Sequence, residues 1–346
     1  MRNLALLQFS LVAATLLSVG DAATTSLAPH YDRFDVKGAP VRVGYIVAPS
    51  SKYTLDVRLA DGQAGVRVNL KAFLTEPGDE CAQNGGFLSE LSGQPQGTLM
   101  QDSRVLHIGS NGWRLELNAR GKASIVPDEL HVAGTVTSSA KGANPVSWTA
   151  YEVNEPPTSN RDSAVVFTPE WAGFVKSHMD AAVVVKAGKV DNLLKSVRNI
   201  DIPSNGFLIA FNGKYAGMLN QFHVGDAVKY TVVDRLGRAP GAVNAIAGGP
   251  PLVMAGRQPA RSTLMDTHLV SGYATRSAVG FTAKNDVIQA VFPSATLPEV
   301  SAVMIKLGAV TALNLDGGGS AGLECRAGTV APVGRRLPSA LVVKAR

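Results

Sequence analysis

Cysteine, aromatic residues and long apolar runs are all scarce in this chain, and each shortage removes a class of protein. Two cysteines in 346 residues, Cys81 and Cys325, cannot frame a disulfide-dense scaffold or a thiolate metal cluster. Aromatics make up 6%, the basic residues are scattered, and neither an aromatic-rich basic motif nor zinc-finger spacing occurs, so no nucleic-acid module is indicated. There is no G-x-x-x-x-G-K-[ST], which excludes a P-loop. The six histidines show neither H-E-x-x-H nor any close pairing, which leaves a zinc hydrolase unsupported. Beyond the N-terminus no segment is long and apolar enough to span a bilayer.

What remains is a chain able to bury a sizeable core, with 45% hydrophobic and 17% charged residues. Its 35 glycines and 19 prolines are spread along the sequence, as tight turns between short strands require. The expected class is α+β: a β-rich mixed α/β fold with short strands and few helices. Residues 1–22 read as a secretory signal peptide, one positive charge, an apolar stretch and small residues before cleavage after Ala22; a retained membrane anchor is the alternative, since the apolar stretch is nearly the ~20 residues that span a bilayer. Residues 23–40 form a polar lead-in, and 41–346 a single domain with a subdivision near 180. Export makes the mature protein secreted, periplasmic or bound to the cell envelope, and a net charge of +6 suits an anionic polymer or substrate.

Strand pairing is expected to open with a hairpin of "VRVGYIV" (41–47) and "YTLDVRLA" (53–60), and "AGVRVNLKAFL" reads as a short helix. Further strand-like pieces include "WRLELNA", "HVAGTVT", "AAVVVKAGKV" and "NGFLIAFNG". The clearest helix is "TLPEVSAVMIKLG" (296–308), with Thr296 and Glu299 at capping-box spacing and Gly308 to close it. It feeds "AVTALNL", a buried strand that emerges at "NLDGGGS" (314–320). Gly317, Gly318 and Gly319 admit backbone conformations closed to other residues and let N–H groups approach an anion. A plain tight turn is the alternative. A serine-hydrolase elbow, suggested by "GGSAG" (318–322), fails because every histidine lies upstream of Ser320 and no helix pattern follows it.

Four segments, in order, resemble the phosphodiester glycosidase family: "AQNGGFLSELSGQPQG" (82–97), "AIAGGPPLVMAGR" (245–257), "TRSAVGFT" (275–282) and "ALNLDGGGSAG" (312–322). A shorter echo is "GRRLPSALVV" (334–343). Leu88, Thr275 and Ala321 depart from the family pattern. The resemblance implies a hydrolase of sugar-1-phosphodiesters such as those of N-acetylglucosamine, or a non-catalytic protein of the same fold that binds anionic glycans or exopolysaccharide. It further implies a phosphate clamp at Arg276 and a catalytic carboxylate at Asp316. Asn84, Gly85, Asn314, the three glycines, Ser320 and Arg336 are the expected substrate contacts. Glu90, Asp102, Glu152 and Glu170 are open candidates for a second acid, and no cofactor is required, although Asp316 with backbone carbonyls can ligate calcium. If both glycine turns line one site, Cys81 and Cys325 flank it and can pair.

Overall fold

The computed structural model describes residues 27–346 except 90–91, 110–111, 141, 158–161, 172 and 261–269; the signal-peptide reading and Glu90 fall outside them. Strands dominate, arranged as the sequence's short alternating runs and many turns require, in four larger sheets. A six-stranded antiparallel sheet runs His30–Val36, Ala39–Ala48, Val287–Ala295, Ala274–Thr282, Ala309–Asn314, Pro251–Val253. Facing it is a five-stranded sheet of Gly328–Ala331, Leu323–Cys325, Asp79–Asn84, Ser339–Ala345 and Tyr53–Leu59. Their inner faces share one core, with Ile46, Val279 and Leu313 from one sheet and Val57, Leu323, Leu341 and Val343 from the other. Two buried glutamines cross this apolar layer. Gln83 donates to Ser277 Oγ and to the carbonyls of Ala278 and Ala290, and Gln289 donates to the carbonyl of Leu341. Such bonds fix the registry of the two sheets, because a shifted register would strand polar atoms in the core.

On its other face the six-stranded sheet carries the helix Leu297–Lys306. The capping box is present: Thr296 Oγ1 accepts from Glu299 N, and the Glu299 carboxylate accepts from Thr296 N at 2.7 Å. Val300, Val303 and Met304 on the buried stripe pack on Ala278 and Ala312.

A second five-stranded sheet orders Arg104–His107, Leu99–Gln101, Asn244–Gly248, Trp113–Leu117 and Ala123–Pro127. The remaining large sheet has eight strands drawn from residues 131–233, with Met179–Lys186, Gly206–Asn212 and Ser163–Phe167 near its middle, buried on both faces under two apolar clusters. Residue 180, where a subdivision was expected, therefore lies inside a central strand.

Two local expectations are corrected. Ala39–Ala48 does not pair with Tyr53–Leu59; it pairs with His30–Val36 and Val287–Ala295, while Tyr53–Leu59 pairs with Ser339–Ala345. The hairpin signal sat one step earlier, in the expected lead-in: Lys37 and Gly38 both have positive φ, 53° and 83°, the two-residue turn whose twist matches paired strands. "AGVRVNLKAFL" forms a single 3-10 turn, Leu70–Phe73, rather than a longer helix.

Candidate active site

The four glycine-bearing segments, joined by bonds between residues up to 238 apart in sequence, meet where strands of three sheets end. Asp79–Asn84 delivers Asn84, which is fully buried. Its amide Nδ2 donates to the carbonyls of Asp316 (2.8 Å) and Gly85 (3.0 Å), and its Oδ1 accepts from Gly322 N (3.1 Å). Its backbone N donates to the carbonyl of Gly322, and Asp316 N donates to that of Gly85. Asn84 thus staples the "NGG" turn to both ends of the "DGGGS" loop. A buried amide so engaged positions the backbone of both turns.

Glycine is required here by close approach rather than by flexibility. A Cβ on Gly86 would lie 1.9 Å from the carbonyl oxygen of Ala247, and one on Gly317 would lie 2.7 Å from that of Thr275. Asn314 ties in the third segment: its Nδ2 donates to the carbonyl of Gly249 (2.8 Å), and Gly249 N donates to the carbonyl of Asn314 (2.7 Å) beside the cis Gly249–Pro250 peptide. Like Asn84 it is buried and braces backbone, although among the described residues its Oδ1 has no hydrogen-bond partner. Ser320 is equally buried, and its Oγ has no partner among the described residues.

Arg276 enters on the fourth segment. In the antiparallel pairing Ala278 lies opposite Asn314 and Leu315 N donates to the carbonyl of Ser277 (2.8 Å), so two residues further along the strand Arg276 comes beside Asp316. A Cβ on Gly317 would lie 4.0 Å from Arg276 Cδ, which brings the arginine stem against the glycine loop. The side chain is 5% exposed, its Nε donates to the carbonyl of Ala295 (3.3 Å) and its Nη2 to that of Gly272 (2.7 Å). Burial pushes the guanidinium below its usual range, yet arginine starts so high that it stays charged at neutral pH. Asp316, on the loop itself, is half-buried.

Arg336, the expected second cation, and its neighbour Arg335 are both exposed, and Arg335 lies against the loop. Arg335 Nε and Nη2 lie 3.4 Å from where a Cβ on Gly319 would be, and Gly334 N donates to the carbonyl of Gly319 (3.0 Å). Cys81 and Cys325 are register partners in adjacent strands and form a disulfide behind the junction.

The candidate second acids separate. Asp102 sits in a positive-φ turn with its N donating to Asn244 Oδ1, Glu152 is buried beside Val165 in the eight-stranded sheet, and Glu170 pairs with Arg104 at 3.3 Å. A buried ionisable pair that sequence reasoning missed is His107, whose Nδ1 lies 2.8 Å from the carbonyl of Gly97 and whose Nε2 lies 2.9 Å from Glu155 Oε2. Nothing in the sequence joins residues 48 apart. Among the described residues no three His, Cys, Asp or Glu side chains cluster, so a calcium at the loop would rest on Asp316 and carbonyl oxygens.

Residues 174–344 match the profile of the phosphodiester glycosidase family. The chain is related to that family. The fold is shared with a hypothetical protein from Synechocystis at 20% identity and a TM-score of 0.78, over 93% of this chain and 62% of that one. A protein from Burkholderia pseudomallei described as exported shares it at 19% identity, TM-score 0.70, over 88% and 74%. The catalytic domain of zebrafish N-acetylglucosamine-1-phosphodiester alpha-N-acetylglucosaminidase, auto-inhibited by its pro-peptide, shares it at 13% identity, TM-score 0.51, over 94% and 85%. The chain thus spans less than two thirds of the Synechocystis protein's length. No curated protein matches the sequence. The phosphodiester glycosidase relationship and the β-rich fold agree with what the ordered glycine segments imply.

Proposed function

We propose that the chain is an exported hydrolase that cleaves the glycosidic bond of sugar-1-phosphodiesters, with N-acetylglucosamine-1-phosphodiesters as the substrate class. The observation that carries this reading is the strand register that brings Arg276 alongside Asp316, with the arginine stem against the glycine loop. The bond to be broken joins an anomeric carbon to a phosphate oxygen. The leaving phosphate monoester is already stable as an anion, so proton donation matters less than in other glycosidases, and holding the phosphate matters more. Arg276, against Gly317, and Arg335, against Gly319, supply the cations. The glycines let backbone approach the phosphate without a Cβ in the way. Asp316 faces the anomeric carbon or an attacking water and stabilises the developing positive charge on the sugar. Support for export comes from the disulfide, which an oxidising compartment favours. Among the described residues no helix is long and apolar enough to cross a membrane.

A second reading, binding of anionic glycan without cleavage, is favoured by one observation: Arg276 engages backbone carbonyls with its Nε and one Nη, which reduces the fork it can offer a phosphate. Incubation of the purified chain with a methyl or p-nitrophenyl ester of N-acetylglucosamine-1-phosphate separates the two. Release of free N-acetylglucosamine supports the hydrolase. Saturable binding with no release supports the second reading.

A further inference from the structure

Away from the glycine loop, a cleft of about 630 Å³ opens where the second five-stranded sheet meets the eight-stranded one. None of its lining residues belongs to the four glycine segments. One wall carries Ser103 and Arg104, presented by a tight turn in which Asp102 and Ser103 both have positive φ. Tyr230, Thr168 and Glu170 line the cleft as well. This volume falls in the range of ligand-sized sites.

The chemistry of the lining selects a ligand. Tyr230 lines the cleft, packs at steep angles against Phe207 (5.0 Å) and Trp148 (6.4 Å) and remains 36% exposed, so part of an ordered aromatic ring is accessible there. Burial first, and the Glu170 charge second, push its hydroxyl above the usual tyrosine range, which keeps it a proton donor. Arg104 Nη1 and Glu170 Oε1 lie 3.3 Å apart, a donor and an acceptor side by side, as neighbouring sugar hydroxyls require. They are the only charged residues among those described around the cleft, and their charges cancel. An anionic ligand gains nothing there; a neutral, hydroxyl-rich ring with an apolar face does.

We propose that this cleft is a second binding site, for a neutral pyranose unit of an oligosaccharide, whose C–H face packs on Tyr230 and whose hydroxyls bond Arg104 and Glu170. Its occupancy is independent of the chemistry at Asp316. The test is calorimetric titration of the full chain with N-acetylchitotetraose, maltotetraose and mannotetraose. Saturable binding of at least one, with Kd near or below ~1 mM, is expected. Glu170→Gln, Arg104→Ala and Tyr230→Ala should each weaken it at least ~10-fold, while Asp316→Asn leaves it unchanged. Arg104 is largely exposed, so its variant keeps the fold even if Tyr230→Ala does not. The proposal is overturned if none of the three binds below ~10 mM, if Arg104→Ala and Glu170→Gln bind as wild type does, or if Asp316→Asn abolishes binding. Because no turnover is read, loss of hydrolase activity and loss of this site are separate results.

Discussion

The glycine junction and the eight-stranded sheet are held together by different means. In the sheet, strands such as Met179–Lys186 and Ser163–Phe167 bury apolar side chains on both faces, and stability is spread over many replaceable methyl groups. At the junction there is little side chain to bury. Backbones touch, and single atoms of Asn84 and Asn314 carry the hydrogen bonds that join segments distant in sequence. The first arrangement tolerates substitution, whereas the second concentrates consequence in a few positions. Binding residues placed on the second are therefore held to a fixed geometry.

The largest stability effect is expected from the covalent support of the junction. Replacing Cys81 and Cys325 together by Ala removes a link between residues 244 apart. By chain entropy this is about 5 kcal/mol, and ~2–5 kcal/mol in practice. Denaturant midpoints of the double variant check it, and an unchanged midpoint would remove the disulfide from the account. Next comes Gly86→Ala, whose Cβ meets a backbone carbonyl that cannot move aside, at a cost of about 3 kcal/mol or more. Gly188→Ala in the eight-stranded sheet is its counterpart: it has φ +73° but its Cβ meets nothing closer than 3.9 Å, so only backbone strain of roughly 1–2 kcal/mol is expected. Equal losses in the two variants would erase the distinction between the regions.

Asn84→Ala should lower stability by about 2 kcal/mol, because the carbonyl of Asp316 and the N–H of Gly322 lose their partner in a buried place. Thermal unfolding measures it, and a native melting temperature would show that the staple is dispensable.

How much of this was legible in the sequence follows from the same contrast. Period-two and period-3.6 patterns report which face of an element is buried, and they located the helix at 297–306 with its Thr296 cap and most strands of the large sheet. Pairing is set by contacts across the chain, which is why "YTLDVRLA" was matched to the wrong neighbour. The "NGG" and "DGGGS" segments were visible as turns, and their family-like order with "AGGPP" implied that the three belong together. That Asn84 bonds the backbone of the loop, and that Arg335 lies against Gly319, depends on side-chain direction, which no local pattern encodes.

The smallest effect lies outside both regions. Burial opposes the Glu299 carboxylate, but the bonds from Thr296 and the Tyr273 hydroxyl outweigh it and hold its pKa below the ordinary value. A depressed carboxylate contributes stability above its unfolded pKa of about 4.3 and loses it as pH falls through the lower folded value. Glu299→Gln should therefore melt slightly below wild type at pH 7, with the gap closing below about pH 4. A gap that persists at pH 3 would contradict the capping charge.

The central claim is that the Arg276–Asp316 junction hydrolyses sugar-1-phosphodiesters, and the most direct test is steady-state turnover of p-nitrophenyl N-acetylglucosamine-1-phosphate by wild type and Asp316→Asn. Asparagine keeps the size of the side chain and much of its hydrogen bonding, so the account predicts a drop in kcat of ~10²-fold or more with a native melting temperature. Near-normal turnover by Asp316→Asn, or no release of N-acetylglucosamine by the wild-type chain, would contradict it.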